Sequence, residues 1–179
     1  SKRLFEKVKK FINIPVALAM RYGSISINKG IKELYESGVK EIIVLPLYPH
    51  YAMSSYETVV EKVKEEVKNN FPGVNLKIVS PFYKEKNYIN LLSKKIEDKI
   101  KNIDYDHILF SYHGIPISHL KISDPTNSHC YKVNNCCSTK SDAHQYCYKH
   151  QVLETTEAVM KKLNIDTVSY THLRAHETL

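Results

Sequence analysis

Short apolar runs alternate with amphipathic segments along most of this chain, and this alternation restricts the fold more than any other feature. The runs predicted as strands are 15–22, 41–48, 76–82 and 107–112. The segments predicted as helices begin at about residues 27, 54 and 88. Strands that alternate with helices through short connections form parallel sheets with right-handed crossovers. The sequence therefore predicts an α/β fold with a parallel sheet flanked by helices.

The region after the fourth predicted strand has a different pattern. An irregular loop is predicted from His113 to about Ser141, followed by one long helix over about Asp142–Leu163. Earlier in the chain, Ser54 and Glu57 have the spacing of a capping box, which predicts a helix start there.

The charge of the chain argues against a nucleic-acid partner. The formal net charge is +7, but the lysines are interleaved with Glu and Asp on amphipathic segments, which is typical of solvated helix faces. No arginine-rich run or aromatic-basic motif of a nucleic-acid reader occurs. The positive excess favours an anionic substrate or peripheral contact with an anionic membrane surface.

Two further absences in the sequence bear on location. No apolar run reaches the ~20 residues that span a bilayer. The apolar run 11–20 contains Asn13 and Pro15, and its alternation fits a strand better than a signal peptide. We therefore expect a cytoplasmic protein.

The ends of three predicted strands carry the informative side chains. They are Met20-Arg21-Tyr22-Gly23, Tyr48-Pro49-His50-Tyr51 and Ser111-Tyr112-His113-Gly114. Ligands of parallel sheets bind beyond the carboxyl ends of the strands, so these segments predict a tyrosine-walled cleft that contains a histidine. Neither a G-x-G-x-x-G motif nor a phosphate loop follows any strand, so no nucleotide cofactor is expected.

His113 is the first candidate for chemistry in this cleft. It follows a buried strand and precedes Gly114, so its ring is predicted to emerge with space beside it. A neutral imidazole accepts a proton or binds a divalent metal near pH 7. From the residues alone, this chemical role has the same weight as a structural one, in which the histidine caps the strand and bonds a carbonyl. Tyr48 and Tyr51 have the same two interpretations, a wall for a flat ligand or simple packing, with packing favoured for Tyr51.

All four cysteines of the chain fall between residues 130 and 147, as Cys130, Cys136, Cys137 and Cys147. Four thiolates are enough to ligate zinc or an iron–sulfur cluster, although the adjacent pair is unusual for a zinc ribbon. Nothing marks the chain as secreted, so disulfides are the weaker interpretation. A third interpretation is that the four cysteines cluster without binding a metal. The nearby His129, His144 and His150 are either alternative ligands or surface residues.

Three segments, in order, resemble one known family. Residues 105–137, with the strand end FSYHGIP, are similar to the central signature of ferrochelatases. VLPLYPHY (44–51) and ALAMRYG (17–23) resemble two further segments of that family, and the likeness covers roughly residues 5–165. The resemblance implies a Rossmann-like chelatase domain that inserts ferrous iron into protoporphyrin IX to form haem, with coproporphyrin as the alternative ring.

The resemblance also implies roles for individual residues. His113 corresponds to a histidine that faces the porphyrin centre as proton acceptor or metal ligand, and Tyr48 to a tyrosine near the metal path. The positions that match the porphyrin cleft are Met20, Arg21, Tyr22 and Ser54. Arg21 would pair with a propionate or form a structural ion pair. Some family members hold a [2Fe–2S] cluster, which implies Cys130, Cys136, Cys137 and Cys147 as its ligands.

The chain departs from the family pattern at both ends. We expect residues 1–141 to form a partial chelatase domain that includes the cysteine-rich loop, and residues 142–167 a long helix toward a missing second domain. Residues 168–179 match no family segment and are expected to be a non-native tail. The polypeptide by itself is therefore expected to be inactive.

Two alternative functions remain open from the sequence. One is a cobalt or nickel chelatase acting on another tetrapyrrole, although such enzymes typically carry a second histidine and lack the four cysteines. The other is a non-catalytic module that binds an iron–sulfur cluster or zinc.

Overall fold

The computed structural model describes residues 2–166 and 169–174, with the side chains of 172–174 excepted. The helices are α1 (Lys2–Lys9), α2 (Ile27–Glu36), α3 (Thr58–Asn70), α4 (Lys86–Ile100), α5 (Ile117–Ile122) and α6 (Tyr148–Leu163). The strands are β1 (Glu41–Val44), β2 (Asn75–Ile78), β3 (Ile108–Tyr112) and β4 (Tyr170–Arg174). Both strand pairs, β1 with β2 and β3 with β4, are parallel, which confirms the predicted α/β class. No described helix is long and apolar enough to cross a bilayer.

The chain divides into two compact units. The first unit contains residues 1–47 and 54–80, and the second contains residues 48–53 and 81–179. The core of the first unit lies where α2 and α3 pack beside β1 and β2. Its buried apolar side chains are Ile27, Ile31, Ile42, Val63, Val67 and Phe71.

The second unit is organised around α6. This helix packs on α4, and its inward side is almost fully buried. A second apolar cluster lies under the cysteine segment and contains Ile115, Leu120, Cys130, Ala143 and Cys147. Tyr148 on the first turn of α6 packs against this cluster, so the helix and the cysteine segment share one core.

Three predicted strands differ from the observed structure, and one of them, predicted over 76–82, is β2 over Asn75–Ile78. Residues 15–22 do not form a strand; only Met20 makes an isolated bridge, with Ser26. Apolar alternation shows which side chains avoid water, but a strand also needs a neighbour to pair with, and none lies beside this segment in the described residues. The second run is a strand only from Glu41 to Val44, because Pro46 has no N–H to continue the ladder.

The predicted helix boundaries differ at three places. Ser54 lies within a π-helical turn, Met53–Glu57, and α3 begins at Thr58 without a side-chain cap, so the capping-box prediction is wrong. The loop after His113 contains the short helix α5. The long helix predicted from Asp142 is interrupted at Cys147, whose extended backbone separates a 3₁₀ turn, Asp142–Tyr146, from α6.

The tail expected to be non-native is partly described. Tyr170–Arg174 forms β4 against β3, whereas residues 167–168 and 175–179 lie outside the described residues. The origin of residues 168–179 stays a prediction.

Candidate active site and cysteine cluster

His113 directly follows β3 and is exposed. A main-chain hydrogen bond joins it to the hydroxyl of Tyr148, whose pKa is raised by burial and lowered in part by this bond. An opening beside the ring is lined by Gly114, Ile115, Leu120, Tyr148, Lys149 and Val152. It holds about 10 Å³, enough for a water molecule or a small ion but not for a flat tetrapyrrole. The imidazole is therefore outside the core, on an anchored main chain.

The expected wall of tyrosines is only partly present. Tyr48 is 38% exposed, as a ligand-facing residue needs to be. Tyr112 instead turns inward, and its hydroxyl lies 2.6 Å from the Thr156 hydroxyl oxygen. Tyr83 is buried. The predicted wall of tyrosines therefore lacks the Tyr112 hydroxyl, because a buried threonine of the second unit holds it.

His50, two residues after Tyr48, is buried and neutral. Its Nε2 donates to the Thr155 hydroxyl oxygen at 2.9 Å, and its ring meets the rings of Tyr112 and Tyr148 edge-on. Burial lowers the pKa of His50 from 6.5 to about 4. His50 therefore has a structural role in the interior of the second unit and is not a second exposed base.

This buried imidazole predicts an acid-sensitive fold. The folded pKa lies below the unfolded one, so between about pH 6.5 and 4 only the unfolded chain binds the proton and stability falls as pH falls. The loss approaches about 3 kcal/mol at the low end of this window. His50→Gln keeps an amide donor for Thr155 but does not titrate. We expect urea unfolding at pH 7 and pH 4.5 to show a larger loss for the native chain than for this variant. Equal losses would show that His50 does not carry the effect.

Polar side chains on α6 hold both strand-end segments of the second unit. Gln151 is fully buried, and its Oε1 accepts the N–H of Tyr51 at 2.7 Å. Thr155 accepts from His50 and Thr156 pairs with Tyr112. Sequence reasoning missed these residues. The available signal was a set of polar residues at 151, 155 and 156, within the apolar stripe of a helix.

The remaining predicted porphyrin contacts lie in the first unit. Met20 and Arg21 are half-buried, and Tyr22 is 76% exposed. The Arg21 Nε donates to the Thr58 hydroxyl at 2.9 Å, and its guanidinium lies 4.8 Å from the Tyr22 ring centroid. None of the ion pairs among the described residues involves Arg21. Ser54 is exposed.

The four cysteines are brought together as free thiols. Cys147 contacts the thiols of Cys130 and Cys137, and Cys136 contacts Cys137. Burial, then the negative charge of Asp124, raises the pKa of Cys130. The hydrogen bond that the Cys137 thiol donates to Cys147, together with burial, raises the pKa of Cys137. The surroundings of Cys130 and Cys137 therefore favour the protonated thiol at these two residues.

Asp124 holds the Cys130 end of this cluster, and sequence reasoning missed it. The carboxylate is 3% exposed and accepts the N–H groups of His129 and Cys130 at 2.9 and 2.8 Å. It also accepts both the N–H and the hydroxyl of Thr126. Burial by itself would raise the pKa of Asp124, but these hydrogen bonds hold it well below its usual range.

The chemistry of the four cysteines fits an iron–sulfur cluster, but their thiols do not form a closed site. Soft thiolates are the ligands that such clusters and zinc prefer, and all four thiols lie in one connected set. The contacts run in series, and among the described side chains no group of three or more His, Cys, Asp or Glu surrounds a single point that could hold a metal ion. The arrangement supplies four donors without a preformed cage for one ion.

The described residues combine parallel α/β pairing, an exposed imidazole at a strand end and four neighbouring thiols. Comparison with known proteins identifies the family. The ferrochelatase family model matches residues 1–173. The chain is 43% identical to a ferrochelatase of Opitutus terrae over 151 residues, 84% of this chain and 44% of that protein. It is 37% identical to a ferrochelatase of Pseudomonas fluorescens over 167 residues, 92% of this chain and 49% of that protein.

The chain belongs to the ferrochelatase family. It spans about half the length of the curated relatives it matches.

Proposed function

We propose that this chain is the histidine-bearing part of an enzyme that inserts ferrous iron into a porphyrin, protoporphyrin IX in the first instance, to form haem. Family membership supports the reaction. The observation that carries the proposal is the exposed imidazole of His113 at the carboxyl end of β3, beside an opening of ion size.

The chemistry follows from the reaction. Metallation replaces two pyrrole N–H protons by one Fe²⁺, so an acceptor must take protons at the ring centre while the metal enters. A neutral imidazole does this near pH 7, and an exposed one passes each proton to solvent. The bond between the main chain of His113 and the Tyr148 hydroxyl holds the backbone from which the imidazole projects.

The other predicted contacts take supporting roles. We propose that the exposed Tyr48 lies by the metal path and that Met20, Arg21, Tyr22 and Ser54 contact the porphyrin. The Arg21 guanidinium already stacks on Tyr22, an arrangement that suits a propionate at the edge of a flat ring.

The direct test is anaerobic iron insertion by a full-length ferrochelatase that carries these residues. Fe²⁺ and protoporphyrin IX are supplied, and loss of free-base porphyrin fluorescence is followed together with haem absorbance. Parallel reactions with coproporphyrin, and with Co²⁺ in place of Fe²⁺, decide the ring and the metal. Failure to metallate either ring with Fe²⁺ would end the proposal.

We propose that Cys130, Cys136, Cys137 and Cys147 ligate a [2Fe–2S] cluster. The support is the connected set of four free thiols. Binding must displace their protons, because the ligating form is the thiolate.

An anaerobically purified chain tests this. A cluster gives visible charge-transfer absorption and equal amounts of iron and sulfide, whereas zinc gives a bound metal without colour. A colourless chain that binds zinc stoichiometrically would favour the zinc-module alternative instead.

We place the protein in the cytoplasm, with peripheral contact to the membrane. Four free cysteines suit a reducing compartment. α1 has no buried residue and carries Lys2, Arg3, Lys7 and Lys9. Cosedimentation with anionic lipid vesicles tests the membrane contact, and absence of binding at low salt would argue against it.

A further inference from the structure

Three histidine side chains surround the main chain of the adjacent cysteine pair. The Nε2 atoms of His129 and His144 lie 2.7 and 2.9 Å from the carbonyl oxygen of Cys136. The Nδ1 of His150 lies 2.8 Å from the carbonyl oxygen of Cys137. Because a carbonyl oxygen only accepts, each ring must carry a proton on the nitrogen that faces it. These contacts set the tautomers of all three imidazoles.

The three rings also support one another. His144 and His150 stack with centroids 3.6 Å apart and planes 12° apart, and His129 meets His144 edge-on at 5.4 Å. His129 and His150 are buried. The Asp124 carboxylate holds the main chain of His129, and the Gln151 amide donates to the carbonyl of His144. The group of rings is therefore fixed from both sides.

The cysteine pair needs such support. Asn135, directly before it, has a left-handed backbone (φ 52°), a conformation that only glycine adopts freely and asparagine tolerates. Cys136 and Cys137 are half-buried, and neither lies in a helix or strand. The two carbonyl groups that accept from the imidazoles hold the turn that presents both thiols.

We propose that His129, His144 and His150 are positioning residues that bracket Cys136 and Cys137 and hold their thiols toward Cys147 for the iron–sulfur cluster. This positioning role of the three histidines rests on the proposed iron–sulfur cluster.

Amide substitutions in a crossed design test this on the 179-residue chain. The glutamine amide reaches the place of a histidine Nε2, and the asparagine amide that of an Nδ1. We therefore expect His144→Gln and His150→Asn to behave like the native chain. In the swapped variants His144→Asn and His150→Gln, we expect the hydrogen bond to the cysteine carbonyl to be lost and the Cys136–Cys137 pair to be held less firmly. His107→Gln, away from the cysteines, is the control.

Two measurements read the result. In the metal-free chain, peptide-resolved mass spectrometry gives the rate at which Cys136 and Cys137 react with iodoacetamide. We expect at least a fivefold rise in the swapped variants only. After anaerobic reconstitution with ferrous iron and sulfide, we expect the swapped variants to lose at least half of the charge-transfer absorption.

If the alkylation rates of Cys136 and Cys137 did not follow the crossed pattern, the proposed positioning role of the histidines would be wrong. This holds whether or not the variants take up iron. If the native chain binds neither iron nor sulfide, the cluster proposal fails, and the alkylation rates still decide whether the histidines hold the pair.

Discussion

Replacing His113 by alanine is expected to lower iron insertion by about 100-fold or more. A positioned proton acceptor contributes on the order of 10²–10⁴ to a rate, and His113 is the exposed strand-end imidazole of the second unit. Its side chain faces solvent, so the substitution leaves the packing of β3 and α6 intact and the folding stability nearly unchanged. The assay is anaerobic haem formation by a full-length ferrochelatase that carries these residues.

His107→Ala provides the matched control, because His107 precedes the same strand at its opposite end. Its Nε2 lies 2.7 Å from the Thr171 hydroxyl oxygen, away from the proposed site. We expect this variant to keep most of the activity. If His113→Ala also kept more than half of it, His113 would not be the proton acceptor, although the cysteine cluster would be unaffected.

Replacing Gln151 by leucine is expected to destabilise the fold by about 2–6 kcal/mol. The side chain is fully buried and makes three hydrogen bonds: one from Tyr51 N–H, and one each to the carbonyls of His144 and Gln145. Leucine has nearly the same volume but removes all three bonds, and of the three main-chain groups the His144 carbonyl keeps the Cys147 N–H as a partner. The Tyr51 N–H and the Gln145 carbonyl lose the bond to Gln151. Each unsatisfied buried group costs about 1–3 kcal/mol, reduced where water can enter. Urea unfolding of the two proteins gives the difference.

Gln145→Leu is the matched control, because the Gln145 side chain is exposed and only its carbonyl is used. We expect a change within about 0.5 kcal/mol. A loss of less than about 1 kcal/mol in Gln151→Leu would mean that water replaces the amide, and that the link between Tyr51 and the cysteine segment is weaker than the structure indicates.

The predictions from sequence succeeded where the relevant pattern is local. Apolar periodicity identified the short strands and helices, and their alternation predicted the α/β class and the parallel pairing of β1 with β2. The pairing of β3 with β4 was not predicted. The three strand-end segments pointed to the ferrochelatase family. The predictions from sequence failed where a strand needs a partner, as at residues 15–22, and where the extended backbone of one residue, Cys147, interrupts a helix.

What the tertiary structure alone decided is the direction in which neighbouring polar residues turn. Tyr112 and His113 are adjacent in the sequence, yet Tyr112 is tied to Thr156, 44 residues away, and His113 is exposed. Tyr48 and His50 diverge in the same way, because His50 pairs with Thr155, 105 residues away. The sequence by itself determined the class of fold and the segments that carry chemistry. Only contacts with α6 decided which side chains remain available, since the burial of a polar ring depends on partners that no local pattern identifies.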